Sequence, residues 1–231
     1  MKKITFAVAC LLALSSVYAG DRCYEGVTTE CVSTTTTLSL GKCNAQYGEY
    51  NDYSHVAGEL QAYANLYLKR SYEYLLSASY FNNYKINRAG FSKMFRKLSD
   101  EAWEKAIDLI KHVTMRGINM DFSRRSIYDP EPGKKYVVEL HELDSLAKAL
   151  DTQKELAERA FTIHREATKN ANNLHDPEIA QYLEEKFIED HATTIRELAG
   201  FTNDLKGVII SNDKDLSLAL YIFDEYLQKV V

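Results

Sequence analysis

The spacing of apolar side chains divides most of the sequence into long amphipathic helices. From about His55 to Tyr84, apolar and small residues recur three and four positions apart, which places them on one face of an α-helix. The same spacing predicts three more long helices, from about Ala89 to Met115, Glu142 to Asn170 and Asp176 to Phe201. A shorter amphipathic helix is predicted from Leu216 to Leu227. The predicted fold class is therefore all-α.

The connections between these helices carry stop and start signals. Asn82 and Asn83 end the first helix, and Gly117 ends the second directly after Arg116, because glycine favours the left-handed conformation that often closes a helix. The sequence Asp176-Pro177-Glu178 starts the fourth helix with a capping Asp and a Pro at the first helical position. A polar stretch from Asn203 to Asn212 is predicted to separate it from the fifth helix.

The connection between the second and third helices is long and carries no helical period. It runs through Met120, Tyr128, Pro130, Pro132 and Gly133, and it is too long for a tight antiparallel turn. A four-helix bundle with one long crossover requires a connection of this kind. The sequence therefore predicts a four-helix bundle with a long crossover between helices two and three and a short fifth C-terminal helix.

The first residues are typical of a secretory signal peptide. A basic start is followed by an apolar run from Ile4 to Leu14 and small residues ending at Ala19, so cleavage is predicted after Ala19. A retained anchor helix is the alternative, but the apolar run is short for a membrane span. The mature chain is expected to be soluble, in the secretory pathway or outside the cell. The predicted organisation is a signal peptide over 1–19, a cysteine-bearing extension over 20–54 and a helical bundle over 55–231.

Charge and cysteine content narrow the possible partners. The net charge is −5 and no basic stripe stands out, so nucleic-acid binding is not indicated. Three cysteines remain after the signal, Cys23, Cys31 and Cys43. In an oxidising compartment an odd number leaves one thiol free or bonded to another chain. A zinc site is disfavoured because no Cys-x-x-Cys pair is present.

Several segments resemble the ferritin family, in the order in which that family has them. Residues 70–81 (RSYEYLLSASYF) resemble its tyrosine-rich first-helix motif, and residues 91–95 (FSKMF) with 99–106 (SDEAWEKA) resemble its metal-bearing second helix. Residues 175–178 (HDPE) resemble the turn before the fourth helix, and residues 218–224 (LALYIFD) the tail helix. The signal peptide and the cysteine-bearing extension resemble those of secreted arthropod ferritins.

This resemblance implies an iron-storage subunit of the light-chain type. The cargo would be iron as a ferric mineral, with no organic cofactor, inside a large hetero-oligomeric shell, a 24-mer, shared with a heavy-type subunit. Two alternatives remain open at this point: a ferroxidase-competent ferritin subunit, and a secreted helical-bundle carrier unrelated to iron. Particle size separates the last from the others, because a storage subunit should run as a very large particle and a carrier as a monomer or dimer.

The positions that resemble the family's ferroxidase centre are only partly filled with metal ligands. The chain has no Glu-x-x-His pair of the kind found in di-iron bundles. Tyr74 and Glu101 match the family's tyrosine and bridging carboxylate. The other positions hold Tyr67 for a glutamate, Lys105 for a histidine, Gln153 for a glutamate and His191 for a glutamine. A Lys ammonium competes with a metal cation, and Lys105 can pair with Glu101 at helical spacing. The sequence therefore predicts no ferroxidase activity.

Four carboxylates are the candidate metal ligands. Asp100, Glu101 and Glu104 lie at three- and four-residue steps on the second helix together with Asp108, and the resemblance implies that such a face collects ferric ions and seeds mineral. The alternative is a solvated face neutralised by neighbouring lysines, which are Lys97, Lys105 and Lys111. Glu184 matches an acidic position that lines the family's threefold channels, although Gln181 replaces the neighbouring aspartate. His164 and His175 are expected to make ordinary surface or helix-end contacts.

The resemblance also implies a disulfide arrangement that can be tested. It implies a Cys23–Cys43 bond within the chain and a bond from Cys31 to a heavy-type subunit. Closing a loop of about twenty residues removes on the order of 3 kcal/mol of unfolded-chain entropy. Spacing alone leaves the connectivity open, since Cys31 could pair within its own chain. Peptide mapping of the native particle without reduction should recover Cys31 joined to the heavy-type chain, and a Cys31 peptide joined to Cys23 or Cys43 of its own chain would contradict this assignment.

Overall fold

Six α-helices and one π-helical segment make up almost all of the part of the chain that the structure describes. The computed structural model describes residues 45–48, 50, 54–122, 139, 141–169, 175–211 and 215–231. The helices are α1 (His55–Phe81), α2 (Ala89–Met115), α3 (Glu142–Ala167), α4 (Pro177–Leu183), α5 (Glu189–Ser211) and α6 (Leu216–Val230). The π-helical segment Glu184–Ile188 joins α4 and α5, and the three together are called the fourth helix below. Across these described residues, no helix is both long and apolar enough to cross a membrane.

The all-α prediction is confirmed, with changes at the helix ends. The first helix ends at Phe81 rather than Tyr84, and the third ends at Ala167 rather than Asn170. The predicted polar break from Asn203 to Asn212 is wrong, because the fourth helix continues to Ser211. Leu205 is fully buried there, so burial of the apolar stripe outweighs the weak helix propensity of single polar residues.

Contacts at the two ends of the bundle confirm the long crossover. Arg88 Nε lies 2.9 Å from Glu142 Oε1, so α2 and α3 begin at the same end. The amide N–H of Asp176 donates to Ala167 O at 2.8 Å, and Arg116 Nη2 lies 2.8 Å from Asp176 Oδ2, so both helices also end together. Helices of this length rise about 40 Å. α2 and α3 therefore run in the same direction, as a bundle with one long crossover requires.

The tail helix α6 docks on the start of α2 through a buried carboxylate. Arg88, the N-cap residue of α2, makes no side-chain cap bond. The Phe91 N–H instead donates to Asp224 Oδ1 at 3.0 Å, which satisfies one of the free N–H groups at the helix start. Gly90 allows this approach, because a Cβ there would lie 2.1 Å from Asp224 O. The cap of α2 thus comes from Asp224, a residue more than a hundred positions further along the chain.

A Schellman motif closes the other end of α2. Gly117 has φ +82°, and the N–H groups of Gly117 and Ile118 donate to the carbonyls of Thr114 at 3.0 Å and Val113 at 3.2 Å. Gln46 Nε2 donates to Gly117 O at 3.2 Å. The stop signal read from the sequence is confirmed, and a residue of the extension packs on it.

Arg116 ties this end of α2 to the start of α4. Its side chain is 2% exposed, and its guanidinium binds Asp176 and Glu178. Asp176 caps α4 by accepting from the Ile179 N–H at 3.2 Å. The guanidinium also lies 4.2 Å and 4.5 Å from the ring centroids of two tyrosines of the extension, Tyr47 and Tyr50.

Tyr50 belongs to the predicted extension over 20–54, yet it packs into the core of the bundle. Its side chain is 2% exposed and belongs to the main apolar cluster. The cation–π contact with buried Arg116 explains why it is drawn in. The three cysteines and the predicted signal peptide lie outside the described residues.

Replacing Arg116 by Met should destabilise the chain by about 3 kcal/mol, because it leaves two carboxylates near a buried site without their cation. Burial alone would raise the pKa of Asp176, but its bonds to Arg116 outweigh burial and lower that pKa. This part of the stability is therefore present above the ordinary pKa of 3.8 and is lost as the pH falls through the lowered value.

Chemical denaturation of native and variant chains at neutral pH measures the change. Arg96→Met is the matched control, because Arg96 binds Asp100 at 3.0 Å with both side chains more than half exposed. We expect no measurable change for the control. Equal effects of the two variants would contradict the structural role of Arg116.

Candidate metal-handling site

A cavity of about 460 Å³ lies between α2 and the fourth helix. Five carboxylates line it, from Glu101, Glu104, Asp108, Asp190 and Glu197. Two ammonium groups join them, from Lys97 and Lys105. Buried polar residues at its inner side are Tyr67, Gln153 and His191. The cavity therefore brings together every position that resembled the ferroxidase centre except Tyr74.

The buried polar residues bind each other. His191 Nε2 lies 2.9 Å from Tyr67 Oη and 3.1 Å from Tyr63 Oη, and the two phenol oxygens lie 3.2 Å apart. On the other side of the ring, His191 Nδ1 lies 3.2 Å from Gln153 Oε1. Gln153 Nε2 donates to Tyr74 Oη at 3.4 Å. Four positions of the ferroxidase resemblance thus form one hydrogen-bonded chain.

The protons in this chain can be assigned from the partners. Gln153 Oε1 can only accept, so His191 Nδ1 carries the imidazole proton and Nε2 accepts from a phenol. Tyr63 Oη donates to Leu156 O at 3.0 Å, which leaves the Tyr67 hydroxyl to donate to His191. The one lone pair with which the His191 imidazole could bind a metal is thereby already used by a phenol.

The network is uncharged at neutral pH. Burial, together with the nearby Lys105 ammonium, lowers the pKa of His191 to about 4. Burial also raises the pKa values of Tyr63, Tyr67 and Tyr74 above the ordinary value of 10.0. A neutral imidazole between a neutral phenol and an amide satisfies its hydrogen bonds without a cation.

The Lys105 ammonium contacts residues of the fourth helix rather than a residue of α2, the helix that carries it. Its ammonium donates to the Asp190 carboxylate and to the backbone carbonyl of Lys186, and it lies 5.2 Å from the Phe187 ring centroid. The sequence had pointed to Glu101 as its partner. The π-helical segment presents a carbonyl and a carboxylate to the same ammonium, and these partners replace the one expected from helical spacing.

Glu101 lies at the accessible side of the cavity. Partial burial raises the pKa of its carboxyl, Lys97 and Lys105 oppose that shift, and the neighbouring carboxylates of Glu197 and Asp190 add to it. Clustered acids in a partly enclosed site repel one another. A cation that entered near Glu101 would relieve this repulsion.

The four predicted ligands are not all brought together. Glu101 and Glu104 line the cavity, whereas Asp100 binds Arg96 on the surface. Glu184 belongs to the π-helical segment and lies 2.7 Å from His164 Nε2, an ordinary surface contact of the kind expected for that histidine. Among the residues that the structure describes, no group of three His, Cys, Asp or Glu side chains is arranged to hold a metal ion.

Three residues of the site were missed in the sequence. Tyr63 lies on the apolar stripe of α1 and was read as core. Asp190 and Glu197 are seven residues apart on the fourth helix, a spacing that places two side chains on one face. That spacing could have identified them. The π-helical segment before them shifts the helical register, however, and the local sequence does not predict that segment.

Comparison with known proteins agrees with the fold and gives the family. A family model described as a ferritin-like domain matches residues 57–208. The chain is 64% identical to a ferritin light chain of Trichoplusia ni over 232 residues, covering 100% of both chains. It is 41% identical to a ferritin light chain of Drosophila melanogaster, covering 96% of this chain and 95% of that one.

The chain belongs to the ferritin family. The crystal structure of secreted ferritin from Trichoplusia ni matches this ferritin chain with a TM-score of 0.84 and 66% identity, over 90% of this chain and 99% of that chain. A ferritin heavy chain of Papilio xuthus is 26% identical over 98% of both chains. The family resemblance read from the helix motifs is therefore confirmed.

The buried network of this ferritin chain makes a pH-dependent prediction. His191 should remain neutral until the pH approaches 4 in the folded chain, against an ordinary value of 6.5. Because the unfolded chain binds the proton first, stability should fall as the pH drops from 6.5 towards 4, by on the order of 3 kcal/mol.

Hydrogen–deuterium exchange at the imidazole carbon, followed by mass spectrometry across pH, reports this pKa in a large particle. The denatured chain provides the reference, and it should titrate near the ordinary value. A folded-state midpoint at that same ordinary value would contradict the assigned network.

Proposed function

We propose that this chain is the light-chain-type iron-storage subunit of a secreted ferritin shell and has no ferroxidase centre of its own. The observation that carries the proposal is the closed hydrogen-bonded chain of Tyr67, His191, Gln153 and Tyr74. Its relatives named ferritin light chain support the class. Family membership disfavours a carrier unrelated to iron.

Iron oxidation in a bundle needs ligand atoms with free lone pairs facing two metals. In this chain the imidazole and the amide at those positions bind each other, and Tyr67 stands in place of a carboxylate. Lys105 adds a fixed positive charge beside them. Ferrous ions would have to break several buried hydrogen bonds and displace an ammonium group. The donor set therefore does not suit a di-iron centre.

The cavity carboxylates suit ferric mineral instead. Ferric iron is a hard cation that prefers oxygen ligands, and Glu101 and Glu104 present carboxylates at an accessible cavity. In this proposal these two residues seed mineral. Asp100 contributes less, because Arg96 already binds its carboxylate. Glu184 is more than half exposed, and we propose that it helps to guide iron towards the shell.

Partners and location follow from the relatives. The structural relative from Trichoplusia ni is a secreted ferritin, and a relative of the heavy-chain kind covers nearly the whole chain. We propose that this chain is secreted and shares a large hetero-oligomeric shell with a heavy-type subunit, bonded through Cys31. Iron is the cargo, and no organic cofactor is required.

Mixed shells of this chain with its heavy-type partner test the proposal. In one preparation Glu101 and Glu104 are both replaced by Gln, which keeps side-chain size and removes two carboxylates. We expect mineral growth to slow severalfold while the initial rate of ferrous oxidation, set by the partner, stays unchanged. Oxygen consumption and the iron content of the core give the two readouts.

Asp100→Asn in an otherwise native mixed shell is the matched control and should change neither rate. A large drop in the initial oxidation rate of the double variant would show that this chain contributes ferroxidase activity. Unchanged mineral growth would mean that the acidic face is only solvated.

A further inference from the structure

The hydroxyl group of Tyr67 donates its hydrogen bond to a base. Its acceptor is His191 Nε2, which lies 2.9 Å from Tyr67 Oη, while His191 Nδ1 donates to Gln153 Oε1 at 3.2 Å. A neutral imidazole can take up a second proton near neutral pH, which an amide or carbonyl oxygen cannot do. A phenol donor and an imidazole acceptor, the two parts of a proton transfer, are therefore already in contact inside the bundle.

The two other phenols of the network donate to backbone carbonyls. Tyr63 Oη donates to Leu156 O at 3.0 Å, and Tyr74 Oη donates to Ala149 O at 3.5 Å. Although Tyr63 Oη also lies 3.1 Å from the imidazole, its proton is used by the carbonyl. A carbonyl accepts the hydrogen bond but does not take up the proton. Tyr67 is therefore the phenol of this network that can pass its proton to a base.

A base in contact with a phenol makes that phenol easier to oxidise. Removal of one electron makes the hydroxyl strongly acidic, so the electron leaves at a lower potential when the proton can leave with it. For Tyr67 the products are a neutral tyrosyl radical and an imidazolium ion on His191. Burial, together with Lys105, holds the pKa of His191 at about 4, so the proton stays on the phenol until the electron is removed.

Tyr67 is placed where iron chemistry would generate an oxidant. It lines the cavity between α2 and the fourth helix, together with the carboxylates of Glu101 and Glu104. In the proposed function these carboxylates bind iron, and ferrous iron with hydrogen peroxide produces hydroxyl radical, a strong one-electron oxidant. The Tyr67 side chain is only 3% exposed, so a radical formed on it is shielded from solvent and from other radicals.

We propose that Tyr67 and His191 form a redox-active pair that reduces one-electron oxidants formed at iron in this cavity. Hydroxyl radical takes one electron from Tyr67 and becomes hydroxide, while the phenol proton moves to His191 Nε2. A ferrous ion then gives one electron to the tyrosyl radical and becomes ferric, and the proton returns to the phenol oxygen. One hydroxyl radical and one ferrous ion thus become hydroxide and ferric ion, and the pair is regenerated. The source of the oxidant rests on the proposed function, whereas the pair itself rests on its hydrogen bond.

Photo-oxidation of the iron-free full chain tests the pair. A ruthenium tris(bipyridine) complex with persulfate supplies the one-electron oxidant, and electron paramagnetic resonance of samples frozen after illumination measures the tyrosyl radical. We expect a persistent radical in the native chain and a severalfold lower yield in Tyr67→Phe. Tyr74→Phe is the matched control, because it removes a buried phenol whose acceptor is a carbonyl, and its yield should equal the native one.

His191→Gln tests the base separately from the phenol. Glutamine can accept a hydrogen bond from Tyr67 but cannot take up its proton, so the yield of persistent radical should again fall severalfold. Radical formation in the native chain should be slower in D₂O, and His191→Gln should lose this isotope effect, which a purely structural role would not change. A native radical yield in Tyr67→Phe or His191→Gln, or an equal loss in Tyr74→Phe, would overturn the proposal.

A measurement on the native chain decides the matter if the variants do not assemble. The radical should show a magnetic coupling to one exchangeable proton, the proton shared with the imidazole, and this coupling should vanish in D₂O. A native chain without a persistent radical, or with a radical that lacks this coupling, would overturn the pair and leave iron storage standing. A native chain that oxidises ferrous iron by itself would contradict the proposed function and leave the pair standing, because no iron is used here.

Discussion

The requirement that buried polar groups be satisfied governs the centre of this bundle. His191 is 6% exposed and Gln153 7% exposed, so each must find partners inside the protein. They find them in each other and in the tyrosines of α1, which costs no charge. A ferroxidase centre solves the same problem with metal ions. Once the bundle is satisfied by phenols and an amide, metal binding there would require those bonds to be broken.

The charged groups are arranged around that neutral centre. Lys105 lines the cavity together with the network and the acids, and its ammonium contacts a carbonyl of the π-helical segment. Glu101 and Glu104, which line the same cavity, are both exposed. The same contrast recurs at the end of the bundle, where Arg116 joins α2, the cap of α4 and the tyrosines of the extension. In both places one cation connects segments that are distant in sequence.

Local signals predicted most helix boundaries correctly, and the exceptions have a physical cause. Gly117 and Asp176 act through their own backbone and side chain, so their roles were visible in the sequence. The helix through Asn203 was missed because Leu205 is stabilised by burial against the rest of the bundle, which local propensity does not contain. Asp190 was missed for a similar reason, because only the π-helical register turns it towards Lys105.

The sequence by itself determined the all-α class, the order of the helices, the need for a crossover and the family, since these depend on periodicity, caps and motifs along the chain. It also predicted which positions of a ferroxidase centre lack a metal ligand. The tertiary structure alone decided which groups bind each other. Tyr63 contacts His191. Lys105 binds Asp190 rather than Glu101, and Asp100 binds Arg96 on the surface rather than lining the cavity. Partner choice depends on distances between helices, and those are set by packing rather than by spacing along the chain.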